Sequence, residues 1–496
     1  MIPWRRTGSC RLAADAKVRR GCEIGPAVLG RPDPSDGFTV GTSTLRANSV
    51  SQHLRPRSQI LLLALVLRLA LILGGWGSAQ DTSPPFLARD SGSYIEPATA
   101  LGTTATFARD GEPDIVRTPG YPLLLVPGVW LGQIIAWALS LQLILHLLTI
   151  LLVYDLAIQL GRPRAAIVAA GLLAIEPLSV IYTAKVLSET TFSALLVAAI
   201  WGLIRGHRHN SERHWLLGAA CLGLSALVRP IGYGLALPLV LFAIIGLLFR
   251  QTRVVLPSRW LAAAIALMLL PSVLWQGRNL VVADYRGLSA ITDINAYFYQ
   301  AAAVEARRQG RSFYEVQNEW GYHDVDLFNT RRPDLARLPQ GPRLQRLGEE
   351  GRQMIAADPF SYAGVHLRGM LRVVFDPGGV EVLRLLGMYP TSGGLLGKLI
   401  DQGIWKTLSD LAHERPELLI LEIACGLLLL VIYAAAGRGA GRLVRAHPAL
   451  AVLLIGGVVV LLVASGGPMS LSRFRHPMMP ILCLFAGFGW PNAGSR

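Results

Sequence analysis

Residues 134–156 read IIAWALSLQLILHLLTILLVYDL, an apolar run whose single formally charged residue, Asp155, stands near its far end. The run follows neither the 3.6-residue alternation of a surface helix nor the two-residue alternation of a half-buried strand. As a helix of about 20 residues it is long enough to cross a hydrocarbon core of ~30 Å. Comparable blocks recur near residues 60–76, 165–181, 186–204, 215–228, 231–249, 260–275, 418–436, 448–465 and 478–490. Across the 496 residues, 52% are hydrophobic and 16% charged, whereas a soluble domain carries roughly 25% charged residues. The expected fold is an all-α polytopic membrane protein of about ten transmembrane helices with helical outer loops.

The formal net charge of +15 would suggest nucleic acid in a soluble chain. Here its placement assigns it to topology. With Arg55 and Arg57 on the cytoplasmic side, the returning connections are Gly161-Arg162-Pro163-Arg164 and residues 205–214, 250–259 and 438–447, each short and basic. That is the positive-inside pattern, and it predicts cytoplasmic N- and C-termini and no nucleic-acid partner. The five cysteines, Cys10, Cys22, Cys221, Cys425 and Cys483, avoid the predicted outer loops and show neither a disulfide framework nor zinc spacing.

Four regions follow. Residues 1–57 form a polar basic tail without a signal-peptide pattern, and the block after it is long enough to act as an uncleaved anchor. Residues 58–276 form a transmembrane region whose first outer loop covers 79–133. Residues 277–416 form a second outer, mostly helical segment, with helical composition at 295–308, 346–357 and 361–374 and breaks at Pro359 and Pro377. Residues 417–496 hold the last transmembrane helices. Strand signal is slight.

Charged groups near a bilayer are costly, so their positions are informative. They gather on the outer side: Asp90 in Asp90-Ser91-Gly92-Ser93-Tyr94, Arg117 in Arg117-Thr118-Pro119-Gly120-Tyr121-Pro122, Lys185 and Glu189, Arg229-Pro230, Arg278-Asn279, and Arg473-Phe474-Arg475-His476-Pro477. Arginines at this depth run against the positive-inside trend and suit an anion such as a lipid phosphate. Asp90 would then serve as general base on an incoming hydroxyl or amine. From the residues alone, Asp90 reads equally as the N-cap of a helix through Gly102. Each single arginine reads as a snorkelling side chain, Glu189 as the partner of Lys185, and Tyr94 and Tyr121 as interface aromatics. Arg68, Asp155 and His146 read as structural. No P-loop or Rossmann fingerprint is present, and the first outer loop holds no DxD pair, so neither a nucleotide donor nor a metal or cofactor is indicated.

Taken in order, Asp90-Ser91-x-x-Tyr94, Arg117-Thr118-Pro119-Gly120-Tyr121-Pro122, Leu187-Ser188-Glu189-Thr190, Arg229-Pro230, Trp275-Gln276-Gly277-Arg278-Asn279 and Arg473-Phe474-Arg475-His476-Pro477 resemble the GT-C glycosyltransferases of bacterial membranes. These form the superfamily of protein O-mannosyltransferases and aminoarabinose transferases (glycosyltransferase family 39-like). The resemblance implies a polyprenyl-phosphate sugar donor, a lipid, glycan or protein acceptor, and transfer on the periplasmic side of the bacterial inner membrane. It implies Asp90 as the catalytic carboxylate and Arg117 at the donor phosphate, with Arg229, Arg278, Arg473 and Arg475 as further phosphate contacts. Tyr94, Tyr121, Glu189 and Asn279 would be weaker substrate contacts. Where the eukaryotic mannosyltransferases carry an Asp-Glu pair, this chain has Asp90-Ser91. Two other classes share these features: a polyprenyl-lipid transporter or flippase, which would place ionisable residues near the bilayer midplane, and a non-catalytic partner in an envelope assembly.

Overall fold

The computed structural model describes residues 43–77, 85–235, 239, 258–389 and 403–491. The protein is an all-helical polytopic membrane protein. Four described helices are long and apolar enough to cross a bilayer by themselves: Arg55–Gly77, Ile134–Gln159, Ala262–Ala283 and Pro416–Ala446. Glu189–His209, Glu212–Val228, Pro448–Ala464 and Met479–Gly489 pack with them. The block expected at 231–249 begins as the 3-10 turn Pro230–Leu235 and otherwise lies, apart from residue 239, outside the described residues. The short apolar stretch ending at Trp130 is the helix Gly120–Trp130. At 1.5 Å per residue its 11 residues reach only about half the hydrocarbon thickness.

The expected span 165–181 is broken. Pro163–Ile175 and Pro177–Ala184 meet at 61°. Pro177 has no N–H to continue the ladder, and the Glu176 carboxylate instead accepts from the backbone N–H of Leu178 (3.2 Å) and Ser179 (2.7 Å). The following span starts at Glu189 rather than 186, which leaves residues 185–188 irregular. Irregular backbone at this depth requires internal partners. Gln142, the one amide of the 134–156 run, donates to the carbonyl of Lys185 (2.8 Å) and to that of Thr183 just before the segment (3.0 Å). The Val186 N–H donates to Phe86 O, and Ser91 Oγ donates to Val186 O. Arg68, fully buried, ties the first span to the break by donating to Ala64 O and Ala174 O.

Helices in lipid gain little from apolar contact alone, so small residues that allow close approach mark the tightest packing. Met479–Gly489 lies between Pro163–Ile175 and Pro416–Ala446, with Gly487 on Ala165 and Ala169, and Gly489 on Gly439 and Ala435. A Cβ at Gly439 would overlap the Phe485 carbonyl, whereas one at Gly437 meets nothing within 4 Å. Gly439→Val is therefore expected to cost about 1–3 kcal/mol by overpacking and to lower the unfolding temperature in lipid nanodiscs. Gly437→Val should leave it unchanged, and equal behaviour of the two variants would refute the close approach.

Two helices expected in the 277–416 segment form at Gln340–Ala357 and Pro359–Phe375. Pro359 starts its helix, behind an Asp358 cap on Ser361 N (3.1 Å). The third expected helix is divided into Ile291–Ile294, a π-helical turn Asn295–Ala301, and Ala302–Gln309. Tyr297, Phe298, Phe328, Leu335 and Leu347 make the local core. The one sheet among the described residues is a two-residue hairpin, Ala108–Arg109 with Glu112–Pro113. Its Asp110-Gly111 turn has φ of +53° and +79°, the Asp-Gly turn that matches strand twist.

Candidate active site

Helix Gly92–Thr104 begins just after Asp90, but the Asp90 side chain caps nothing. Its Oδ1 accepts from Arg117 Nη2 at 3.2 Å and its Oδ2 from Arg473 Nη2 at 2.5 Å. The capping alternative is thereby removed. Burial by itself would raise the carboxyl, but Arg473 and then Arg117 outweigh it and pull Asp90 down to about 2.

Arg117 is held from several sides. Asp114 Oδ1 accepts from the backbone N–H of Val116 (2.6 Å) and Arg117 (3.1 Å) and so sets the turn. The guanidinium donates to Ser93 Oγ (2.8 Å) and Tyr94 Oη (3.3 Å) and lies 4.6 Å from the centre of the Tyr94 ring. Tyr94 Oη in turn meets Ser188 Oγ at 3.1 Å. The Asp90-Ser-x-Ser-Tyr motif thus serves as a cradle for one arginine.

Glu189, 2% exposed, does not pair with Lys185. It pairs with Arg229 at 2.6 Å and lies 3.8 Å from Arg473 Nε. Lys185 Nζ donates to Pro85 O. Phe474 lies beneath two guanidiniums, 4.9 Å from Arg473 and 5.7 Å from Arg229. Arg473 therefore bridges both carboxylates. The cluster holds three arginines, Arg117, Arg229 and Arg473, against two acids, Asp90 and Glu189, and carries one positive charge in excess. The Asp90 side chain is 31% exposed and the three arginines 17–20%, so the cluster opens to a ligand while Glu189 stays closed off behind it.

Four residues expected at the substrate are engaged elsewhere. Arg475, 1% exposed, donates to the carbonyls of Val373, Val374 and Asp376 and so fastens the end of Pro359–Phe375. Arg278 donates to Asp114 O and Phe107 O and stacks on Trp275 and Phe107; it supports the loop that carries Arg117. Asn279 is fully buried and donates to the carbonyls of Gly287 and Leu288. Tyr121, also fully buried, donates to Gln142 and packs edge-on to Tyr94. Their spacing resembles that of site residues because they hold the same loops, and each is hydrogen-bonded to protein. Ser93 and Phe474 touch the cluster's arginines, and Gln142 holds the backbone behind it, without having been singled out from the sequence. A lone amide in an apolar run and an aromatic between two arginines were the available signals.

Residues 119–275 match the family model described as dolichyl-phosphate-mannose-protein mannosyltransferase. That stretch includes Glu189 and Arg229 and stops short of Asp90, Arg117 and Arg473 on either side. Among solved structures, the archaeal oligosaccharyltransferase AglB from Archaeoglobus fulgidus, in complex with an inhibitory peptide and a dolichol-phosphate, is similar at 15% identity. The match covers 87% of this chain and 50% of AglB, with a TM-score of 0.48. The chain thus spans about half the length of that protein. ArnT from Cupriavidus metallidurans bound to undecaprenyl phosphate is similar at 15% identity over 86% of this chain and 77% of ArnT, with a TM-score of 0.37. No curated protein sequence matches.

Proposed function

We propose that the protein transfers a sugar from a polyprenyl-phosphate donor to an envelope acceptor at the periplasmic face of a bacterial inner membrane. The observation that carries this reading is the excess of one guanidinium over the carboxylates in a cluster that opens at Asp90. A polyprenyl-phosphate sugar is a phosphodiester with one negative charge, which that excess matches. On cleavage the departing polyprenyl phosphate gains a second charge, which Arg117, Arg473 and Arg229 are placed to stabilise as it develops. The dolichyl-phosphate-mannose of the matching family's description is a donor of this kind.

In the proposed step an acceptor hydroxyl or amine forms a bond to the anomeric carbon. The bond from that carbon to the phosphate oxygen breaks, its electron pair leaving on polyprenyl phosphate. The acceptor's proton passes to Asp90. A single displacement of this kind inverts the anomeric centre. A carboxyl held down to about 2 is a weak base. The arriving phosphate competes for the two guanidiniums that hold it, so donor binding itself restores the basicity of Asp90. Topology follows the basic connections read from the sequence, with the 277–416 segment and the first loop facing the periplasm.

The test uses purified protein in nanodiscs, radiolabelled polyprenyl-phosphate sugars and a membrane extract as acceptor pool. Transfer of label by the wild type establishes the activity and names the donor. Binding of every donor with transfer from none would overturn the reading in favour of lipid transport.

A further inference from the structure

Among the described residues, the 277–416 segment meets the residue next to Asp90 through His323. His323 approaches Arg89, the residue before Asp90, with its Nε2 at 3.1 Å from Arg89 Nη2. The His323 ring stands edge-on to Tyr322 at 4.5 Å, and Tyr322 edge-on to Tyr299 at 5.1 Å, with the two tyrosine hydroxyls hydrogen-bonded to each other. Tyr299 is within electrostatic reach of both Arg89 and Asp90. The three rings form a ledge that adjoins Arg89 and lies, at Tyr299, within electrostatic reach of the carboxylate.

Two features separate this ledge from ordinary core. First, Tyr297 and Phe298 are buried in the local core, whereas Tyr299 and Tyr322 are only half-buried at its margin and His323 is exposed. Second, Tyr299 sits in the π-helical turn Asn295–Ala301, a rare geometry that is frequent at functional sites. Within that turn Tyr297 meets Trp320, Phe298 meets both Phe328 and Tyr322, and Tyr299 meets Tyr322 and Phe313. Burial first, then the Tyr322 hydroxyl, holds Tyr299 above its ordinary value, so it remains a neutral hydrogen-bonding phenol. Burial and then Arg89 hold His323 below its ordinary value, so its ring is neutral.

On the functional reading above, we propose that Tyr299, Tyr322 and His323 form the subsite for the donor's sugar ring and determine which sugar is transferred. A pyranose or furanose presents a C–H face and a rim of hydroxyls. The ledge offers the complementary pair: aromatic faces for the first, and two phenols and an imidazole for the second. With both Asp90 oxygens taken by Arg117 and Arg473, the phosphate belongs to the arginines. The sugar, one bond further on, belongs to the groups that the 277–416 segment brings to Arg89, the neighbour of Asp90. Discrimination would come from hydroxyl pairing, since a site built to bond a hydroxyl rejects an analogue that lacks or inverts it.

The test compares wild type with Tyr299→Phe, Tyr322→Phe and His323→Ala, all full-length in nanodiscs. Binding is measured for bare polyprenyl phosphate and for polyprenyl-phosphate glucose, its C2 epimer mannose and its C4 epimer galactose. The proposal expects wild type to distinguish the three sugars. It expects the variants to lose about tenfold or more in affinity for the best sugar-bearing lipid and to narrow the differences among epimers, while bare polyprenyl phosphate binds within about twofold of wild type. Equal weakening for bare and sugar-bearing lipid, or unchanged epimer preference, would overturn the subsite. Failure of wild type to bind any of these lipids would overturn the donor assignment beneath it.

Discussion

Asp90→Asn is expected to slow transfer by about 10²–10⁴-fold, the range supplied by a positioned general base, while leaving the protein folded and its affinity for polyprenyl phosphate undiminished. The fold survives because neither arginine is stranded. Arg117 keeps Ser93 and Tyr94, and Arg473 keeps its approach to Glu189 at 3.8 Å. Phosphate affinity is expected to rise, because the amide no longer competes for the two guanidiniums and the cluster's excess charge grows by one. The same competition sets the pH behaviour. In the free enzyme Asp90 is pulled down to about 2, so kcat/KM, which reports free enzyme, should show no acid limb from this group above about pH 4. In kcat, measured with donor bound, the acid limb should stand at higher pH because phosphate has drawn the arginines away. Single-turnover assays with lipid-binding measurements check all of this. Near-wild-type turnover in the asparagine variant would remove Asp90 from the chemistry.

Arg473→Ala is expected to lower kcat/KM by about 10²–10³-fold, the loss seen when one donor to a developing anion is removed. Arg473 is the side chain that touches both acids, so its removal leaves Asp90 and Glu189 facing two arginines and abolishes the excess charge. Glu189 does not become an orphaned buried charge, because Arg229 remains at 2.6 Å; the variant should therefore fold. Two comparisons separate charge from structure. Arg473→Lys keeps the charge but not the planar fork that reaches two carboxylates, and it should recover only part of the activity. Adding Glu189→Gln to Arg473→Ala restores the excess of one and should recover phosphate binding more than turnover. Unchanged donor affinity in Arg473→Ala would place the phosphate elsewhere.

Much of the fold was legible in the linear chain because bilayer thickness acts on consecutive residues. A helix must satisfy its own backbone in lipid, so uninterrupted runs such as 134–156 announce their structure without reference to any neighbour. The irregular 185–188 segment and the 61° break at Glu176–Pro177 were not legible, although Pro177 was in plain view. Proline allows a kink, but its angle depends on what receives the freed backbone groups, here Gln142 and the first loop.

The sequence alone determined the membrane class, and it placed Asp90, Arg117, Arg229 and Arg473 among the candidates, because unpaired charges near hydrocarbon are too costly to be incidental. Only the tertiary structure decided which candidates converge. Arg473 and Arg475 are two residues apart and look alike in sequence, yet one bridges Asp90 and Glu189 and the other donates to three carbonyls. Glu189, four residues from Lys185, pairs instead with Arg229, from another helix end. His323 meets Arg89, the neighbour of Asp90, from 234 positions away. Local spacing constrains which side chains share a face of one element. Which charge meets which across elements is set by packing, through distances that no stretch of chain encodes by itself.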